Sequence, residues 1–507
     1  MTRTPATVAL PVSTIRDLEA RAMASLPPGT LMQRAAAGIA VSAQSMLRDA
    51  LGKVTGSRVV LLVGSGDNGG DALFAGARLA ARGARVDALL VADRHHGEGA
   101  AALHRAGGRL HDCADVVAAA ELLAAADLVV DGVLGIGGRG ALREPAATLA
   151  AVARETEATV LAVDLPSGVD AGSGAVADPD AVIDADRTVV LGALKPGLLV
   201  GAGAARSGDL EVVDIGLDLG SVGDADVVTL IDDRIAAAAL ARPTAGDDKY
   251  TRGVVGVSAG SERYPGAAVL ATAGARHGLA GYVRFSGPAY RDVVATWPDV
   301  VAGPGRVGAA GRAQCWVVGS GRGTDEDARL AVLDAAALDV PLVLDADGLT
   351  LLAEDPDVRA AILARTAVTV LTPHDGEYAR ITGHPVGDDR IGAAREAAAQ
   401  WGCVVLLKGS STVVAAPSGA AYVALAAPAE LATAGSGDVL AGFAGSLLAH
   451  HEVGSPLEGD GAALLVAVAA HVHGLAGVAA VDAGRTITAV DVAAALPSAV
   501  MRTRGAV

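Results

Sequence analysis

What most restricts the fold of this chain is a series of short, nearly unbroken apolar runs, each leading into a loop. In the first half they are Val59–Val63, Arg85–Val91, Leu128–Val130, Val160–Val163 and Val189–Leu191. In the second half they are Val254–Val257, Trp316–Val318, Leu342–Leu344, Val368–Leu371 and Val404–Leu407. A strand that is apolar without alternation is buried on both faces, which means a parallel sheet between helical layers. At 507 residues the chain is too long for one ordinary core, so two or three domains are expected. The first series closes near Val212–Gly216, and the Gly- and Asp-rich stretch Asp218–Asp226 reads as a linker. The division is therefore 1–220 and 228–507. No short-period repeat is evident, and the halves share an architecture class rather than a sequence. Ahead of the first run, Ser13 to Leu51 is helical in pattern, broken by Pro27-Pro28-Gly29.

Composition narrows the function classes. Aromatic residues are only 2%, so the cores must be built from Ala, Val and Leu. A net charge of −17 argues against a nucleic-acid or anionic-membrane partner. Cys113, Cys315 and Cys403 are odd in number and far apart, which fits neither a disulfide framework nor a zinc cluster and points to a reducing cytoplasm. Met1–Leu10 has no sustained apolar stretch of the signal-peptide kind. Gly461–Val481 is almost entirely apolar, yet it is rich in Ala and Gly with His471 and His473 at its middle, so it reads as a buried helix rather than a membrane span. Of the four lysines, Lys195, Lys249 and Lys408 lie in Gly- or Pro-containing loops, a weak hint of function.

Two glycine-rich loops carry the chemistry. The first, Gly64-Ser65-Gly66-Asp67-Asn68-Gly69-Gly70-Asp71, follows a strand and leads into a helix-like stretch from Asp71 to Arg82. Gly64, Gly66 and Gly69 satisfy the dinucleotide fingerprint, and an acid, Asp93, follows the next strand. Asp67 and Asp71 argue against a bare pyrophosphate there. A carboxylate about 4 Å from a phosphate costs roughly 4 kcal/mol at an effective dielectric near 20, whereas a helix N-terminus returns only about 0.3–1 kcal/mol. A cation should accompany any phosphate, unless Asp71 merely caps its helix. Asp131 and Asp164 close two further strands on the same rim, followed by Gly132–Gly140 and by Leu165-Pro166-Ser167-Gly168. Asn68, Asp131 and Ser167 are oxygen donors suited to a hard cation, although strand-end aspartates also cap turns.

On these residues the first half resembles the NAD(P)HX epimerase family, which equilibrates the 6R and 6S hydrates of damaged NADH and NADPH. The similarity runs through Leu31-Met32-Gln33-Arg34, Asn68-Gly69-Gly70-Asp71, Asp131 with Gly135–Gly140, Ala162–Gly168 and Lys195-Pro196-Gly197. The resemblance implies a Rossmann-like α/β/α sandwich with K⁺ held by Asn68, Asp131 and Ser167. It implies substrate contacts from Asp67, Asn68, Gly69, Gly70 and Asp71, from Gly135, Ile136, Gly137, Gly138, Arg139 and Gly140, and from Asp164, which is the acid/base candidate. Asp67 stands where the family usually has Asn, Ala72 where it has Gly, and Ile136 where it has Thr.

The second loop, Thr433-Ala434-Gly435-Ser436-Gly437-Asp438, precedes the apolar helical face of Val439, Leu440, Phe443 and Leu447. Amides at that helix start could hold a transferring phosphoryl group while Asp438 accepts a hydroxyl proton, a role worth about 10²–10⁴-fold. A Gly-rich turn with an Asp cap is the bland alternative. Gly319–Gly323, Thr372–Glu377 with His374, and Lys408-Gly409-Ser410-Ser411-Thr412 also follow strands; a lone His is more often structural than catalytic.

From about Asp248 onward the chain resembles the ADP/ATP-dependent NAD(P)HX dehydratases of the ribokinase-like superfamily. Tyr264–Ala268, Gly319–Gly323, Leu344–Gly348, Leu371–His374, Lys408–Ser410 and Gly435–Gly442 carry the likeness. It implies that Asp438 is the base on the 6-hydroxyl of the S hydrate and that Ala267, Gly323 and His374 contact the hydrate. It also implies that Lys408, Gly409, Ser410, Ser411, Thr412 and Gly437 contact ADP or ATP brought with Mg²⁺. Asp375 replaces the usual Pro, and Tyr250 replaces a Gly after Lys249. The expected protein is a cytoplasmic, homo-oligomeric, bifunctional repair enzyme acting on NADHX and NADPHX, without nucleic acid or membrane. A ribokinase-like vitamin or sugar kinase with a regulatory nucleotide-binding N-terminal domain is the alternative, and a nucleotide sensor without turnover a third class.

Overall fold

The computed structural model describes residues 4–506 except 224, 225, 426, 427, 454, 455 and 482–485. The chain divides into two compact units, Met1–Val228 and Thr229–Val507. The expected linker, Asp218–Asp226, lies partly outside the described residues; its described part contains a short 3-10 turn at Leu219–Ser221.

The first unit is built on seven strands: β1 Arg58–Val63, β2 Arg85–Leu90, β3 Arg109–Asp112, β4 Leu128–Gly132, β5 Thr159–Val163, β6 Arg187–Leu191 and β7 Asp209–Val213. They pair in parallel in the order β3-β2-β1-β4-β5-β6-β7. The unbroken apolar runs explain the layering. Val59, Leu61 and Val63 of β1 pack with helices Thr30–Leu51 and Asp67–Ala80. Val60 and Leu62 face the other way, onto Leu123, Leu149 and Ala150 of helices Val116–Ala124 and Ala146–Glu155. Alternate residues of one strand thus feed two cores, the α/β/α sandwich the sequence implies. Strand order reverses around β1, whose register sets Val63 level with Leu90 of β2 and Gly132 of β4. A crevice at such a reversal is where parallel sheets collect ligands.

The second unit has β8 Val254–Ser258, β9 Tyr282–Ser286, β10 Val301–Gly303, β11 Cys315–Val318, β12 Leu342–Leu344, β13 Thr369–Leu371, β14 Val404–Leu407, β15 Thr412–Ala415 and β16 Ala421–Ala424. Their order is β16-β15-β14-β13-β12-β11-β8-β9-β10, parallel from β14 to β10, with β14, β15 and β16 joined antiparallel. Helix Ser436–His451 seats so closely on helix Pro265–Arg276 that a Cβ at Gly442 would lie 1.9 Å from the Ala271 carbonyl oxygen. That contact fixes where the helix carrying Asp438 begins. Gly459–Val481 is a core helix whose apolar residues are mostly buried, as its composition suggested.

Three local expectations change. The helix after β1 starts at Asp67 rather than Asp71 and ends at Ala80, because Gly66 in extended conformation, not Asp71, is its N-cap. Asp131 lies inside β4 instead of just after it. Strands β3, β9, β10 and the β15–β16 hairpin were not read from the sequence; β3, Arg-Leu-His-Asp, is a largely exposed edge strand without an apolar signature.

Candidate active sites

At the first rim the structure brings Asn68, Asp131 and Ser167 together. Asp131 is fully buried: Oδ1 accepts from Ser167 Oγ at 2.7 Å and from the Val133 amide at 3.1 Å, and Oδ2 accepts from the Ser167 amide at 2.8 Å. Ser167 Oγ also accepts from the Leu134 amide at 2.9 Å, and Asn68 Nδ2 donates to the Leu134 carbonyl at 3.2 Å and the Val163 carbonyl at 2.6 Å. A Cβ at position 135 would lie 2.3 Å from Asn68 Oδ1, so any larger residue there would displace the Asn68 side chain. Burial pushes the Asp131 carboxyl up to about 6 against the stabilising Ser167 and Val133 hydrogen bonds. A buried carboxylate held only by neutral donors, beside a hydroxyl and an amide oxygen, fits a hard, weakly charged cation. Among the described residues no group of three or more His, Cys, Asp or Glu is arranged to hold a metal.

Asp164 is the second element of this rim. It stands in the left-handed backbone region at φ 72°, and its Oδ1 accepts from the Leu191 amide at 3.0 Å and from Lys195 Nζ. Lys195 is 1% exposed and also donates to the Leu191 carbonyl at 3.0 Å. Asp71 sits in the second turn of its helix, buried, with Oδ1 lacking a hydrogen-bond partner, which removes the capping interpretation. Burial first, then Asp164, Asp67 and Glu19, hold its carboxyl well above the usual range. Asp164 is thus paired with a cation, whereas Asp71 has an Oδ1 without a hydrogen-bond partner.

Glu19 had no signal in the sequence reading. Helix Val12–Ser25 brings it to the rim, where burial and then Asp164 raise its carboxyl while Lys195 and Arg16 oppose. Ile136 is partly buried against the Val8, Leu10, Ile15 and Leu18 cluster rather than packed in the sheet core. Gly137 lies near Arg16, and Arg139 lines a separate cleft.

At the second rim Asp345 organises the site. Its carboxylate is 1% exposed; Oδ1 accepts from Lys408 Nζ at 2.8 Å and Thr372 Oγ1 at 2.7 Å, and Oδ2 accepts from Ser320 Oγ at 3.0 Å. Lys408 Nζ also lies 3.5 Å from Glu377 Oε2. Burial works against the Lys408 charge, but Asp345, Glu377 and Asp438 outweigh it and raise the ammonium. Asp438 stands in the first turn of helix Ser436–His451, after Gly435 at φ 90°. Burial first, then Asp345, pushes its carboxyl up to about 7, against the Ser320 hydrogen bond and Lys408. A carboxylate poised there is a competent base at neutral pH.

The other expected residues lie around this centre. Gly437 is close enough to Lys408 that a Cβ would lie 3.5 Å from Nζ. Ala267 faces Gly321, and the Gly323 amide donates to Asp347 Oδ2 at 2.7 Å. His374 caps helix Asp375–Thr382: Nδ1 accepts from Gly376 and Glu377 amides, and Glu377 Oε2 accepts from the His374 amide. Its ring is largely exposed, with Nε2 3.6 Å from Glu377 Oε1, so the structural role is real and the outer face stays open to a ligand. Against the loop Lys408–Thr412 stands a cation the sequence reading missed, at the start of helix Arg390–Trp401. Arg390 pairs with Asp375 at 2.8 Å, reaches the Lys408 carbonyl and lies against Gly409. Lys249 stacks on Tyr250 and Tyr282 at the opposite, amino-terminal ends of β8 and β9 and does not enter the site. Asp345 was legible in principle, since it follows a strand just as Asp164 does.

Comparison with known proteins covers both units. Residues 255–498 match the family described as NAD(P)H-hydrate dehydratase, and residues 28–197 match the YjeF-related protein N-terminus. The bifunctional NAD(P)H-hydrate repair enzyme Nnr of Mycobacterium tuberculosis (strain ATCC 25618 / H37Rv) is 48% identical over 439 residues, covering 86% of this chain and 88% of that protein. The Mycobacterium leprae (strain TN) protein of the same name is 48% identical over 441 residues, covering 86% and 88%. The crystal structure of ADP/ATP-dependent NAD(P)H-hydrate dehydratase from Bacillus subtilis co-crystallized with ATP/Mg²⁺ is 28% identical, covers 54% of this chain and 97% of that one, and superposes with a TM-score of 0.47.

Proposed function

Because this chain belongs to the family of bifunctional NAD(P)H-hydrate repair enzymes, we propose that its two rims act in turn on one damaged coenzyme. The first domain is an epimerase for the R and S hydrates of NADH and NADPH, and the second a dehydratase for the S hydrate. The observation that carries the residue assignment is a carboxylate near a lysine at each rim: Asp164, just after β5, is paired with Lys195, and Asp438, in the first turn of its helix, feels the charge of Lys408.

In the epimerase, Asp164, paired with Lys195, is the proton acceptor at the C6 hydroxyl, while burial raises the Asp71 carboxyl well above the usual range and suits it to the donor role. Asn68, Asp131 and Ser167 would hold K⁺, which supplies positive charge beside the substrate's phosphates. In the dehydratase, amides from Gly435 to Gly437 and the ammonium of Lys408 receive the phosphates of ADP or ATP. Mg²⁺ brought with the nucleotide would supply positive charge to the transferred group. Asp438 takes the proton of the 6-hydroxyl as its oxygen bonds to phosphorus and the nucleotide's bridging oxygen departs. The C6–O bond then breaks with phosphate leaving, and loss of a C5 proton restores the dihydronicotinamide. Pairing the two activities makes chemical sense, since an S-specific dehydratase alone would strand the R hydrate.

The setting proposed is soluble and cytoplasmic, supported by a buried apolar core helix and by Cys113, Cys315 and Cys403, which are free and buried; homo-oligomeric assembly is part of the same proposal. Incubating the purified chain with mixed NADHX epimers and each nucleotide tests the reading. Full conversion to NADH with ADP or ATP supports it; a stable phosphorylated product and no NADH would replace it with the kinase alternative.

A further inference from the structure

Helix Gly459–Val481 carries two histidines among mostly apolar residues, and the reactions described above use neither. His471 is accounted for, since its Nε2 pairs with Asp233 Oδ1 at 2.8 Å. His473 is 6% exposed, and its Nε2 has no hydrogen-bond partner. Its ring instead hydrogen-bonds the backbone of Ser436, the first residue of the helix that bears Asp438. With Nε2 unpartnered, that bond is made by Nδ1. Burial pushes the imidazole down to about 4, against the Ser436 hydrogen bond, so at neutral pH the ring is uncharged and has a single N–H. A backbone bond that favours the charged ring is one to a carbonyl, so Nδ1 donates and the Ser436 oxygen accepts.

Ser436 sits between glycines. Gly435, at φ 90°, caps the helix without a side-chain hydrogen bond, and Gly437 follows, so both flanks of this turn have the widest backbone freedom. The Ser436 carbonyl and the Gly437 N–H belong to one planar trans peptide and point in opposite directions. Holding the carbonyl in the core therefore aims the amide out of the helix start, beside Lys408, whose Nζ would be 3.5 Å from a Cβ at Gly437. One turn along the same helix face, Gly477 seats the approach to the loop: a Cβ there would lie 2.8 Å from Leu431 Cγ. Helix Gly459–Val481 thus holds the glycine loop at two points, Leu431 and Ser436.

We propose that His473 is a positioning residue of the dehydratase: its Nδ1–H tethers the Ser436 carbonyl and so aims the Gly437 amide at the transferring phosphoryl group. The proposal rests on the dehydratase reading of this domain. His473 lies buried behind the loop and meets neither hydrate nor nucleotide. Its loss misdirects a donor that the transition state needs and leaves ground-state binding in place, so kcat falls while KM holds.

The test compares His473→Phe, which keeps a ring and loses the donor, with His473→Asn, whose side-chain amide NH2 sits close to where Nδ1 does. His473→Phe is expected to lower kcat for nucleotide-dependent dehydration about a hundredfold, with KM for hydrate and nucleotide near wild type. His473→Asn is expected to regain about tenfold of that loss, and epimerisation stays unchanged in both. An unchanged kcat in His473→Phe, a loss carried by KM, or an Asn variant as slow as the Phe variant overturns the proposal. Nitrogen-15 NMR of the wild-type chain labelled at histidine reads the tether without turnover and without relying on how the Phe variant folds. The signal absent from His473→Asn should be a neutral ring protonated at Nδ1; a ring protonated at Nε2, or a charged one at neutral pH, overturns the tether. A wild-type chain with the Nδ1–H ring that dehydrates no hydrate with either nucleotide overturns the dehydratase reading, and the role given to the tether with it.

Discussion

Lys408 Nζ lies 2.8 Å from Asp345 Oδ1, so the cation that would meet a nucleotide phosphate is already held by a buried acid. The same carboxylate is the largest charged contribution raising Asp438. Asp345→Asn should therefore lower the Asp438 carboxyl from its value of about 7. Because the base works only when deprotonated, the acidic limb of nucleotide-dependent dehydration moves to lower pH. A pH–rate profile of kcat/KM checks this; an unmoved limb would mean that Asp345 only shapes the pocket.

The two proton-transfer residues should separate cleanly. Asp438→Asn should lower nucleotide-dependent recovery of reduced-coenzyme absorbance by about 10²–10⁴-fold and spare epimer exchange. Asp164→Asn should do the reverse. Loss of both activities from either single change, in a chain that remains folded, would refute two independent sites.

Lys195 and Asp164 are 1% and 7% exposed at their side chains, and removing one partner strands a buried charge. Lys195→Met should cost the first domain about 3–5 kcal/mol and abolish epimerisation. Calorimetry should show a lowered first transition, with dehydratase activity retained. A variant of normal stability and epimerase rate would remove Lys195 from the assignment.

Asp131 supplies a salt and pH prediction. Its folded carboxyl is raised to about 6 from 3.8, so between those values the folded state holds more protons than the unfolded state. Its contribution to stability is therefore lost as pH rises through about 6, where the buried group must ionise. A cation bound at Asn68, Asp131 and Ser167 offsets that loss. Replacing KCl by a tetraalkylammonium chloride should lower the melting temperature of the first domain at pH 7.5 much more than at pH 5. Asp131→Asn should abolish the difference.

What could be read from the sequence was whatever depends on local pattern. Unbroken apolar runs required strands buried on two faces, and Val59–Val63 duly divides its side chains between two cores. Glycine spacing located both loops, and the resemblance found there named the family that whole-chain similarity supports. Edge strand Arg109–Asp112 escaped notice because an exposed edge needs no apolar signature. The hairpin Thr412–Ala424 escaped because its antiparallel pairing depends on what lies beside it in the sheet. Tertiary structure alone decided which distant groups meet. Glu19 reaches Asp71 across about half a hundred residues of chain, Lys195 selects Asp164 over every other acid, and Asp345 holds Lys408 and biases Asp438. Pattern along a chain fixes which faces must leave water; the charge a carboxylate carries depends on burial and on neighbours that only the folded sheet assembles.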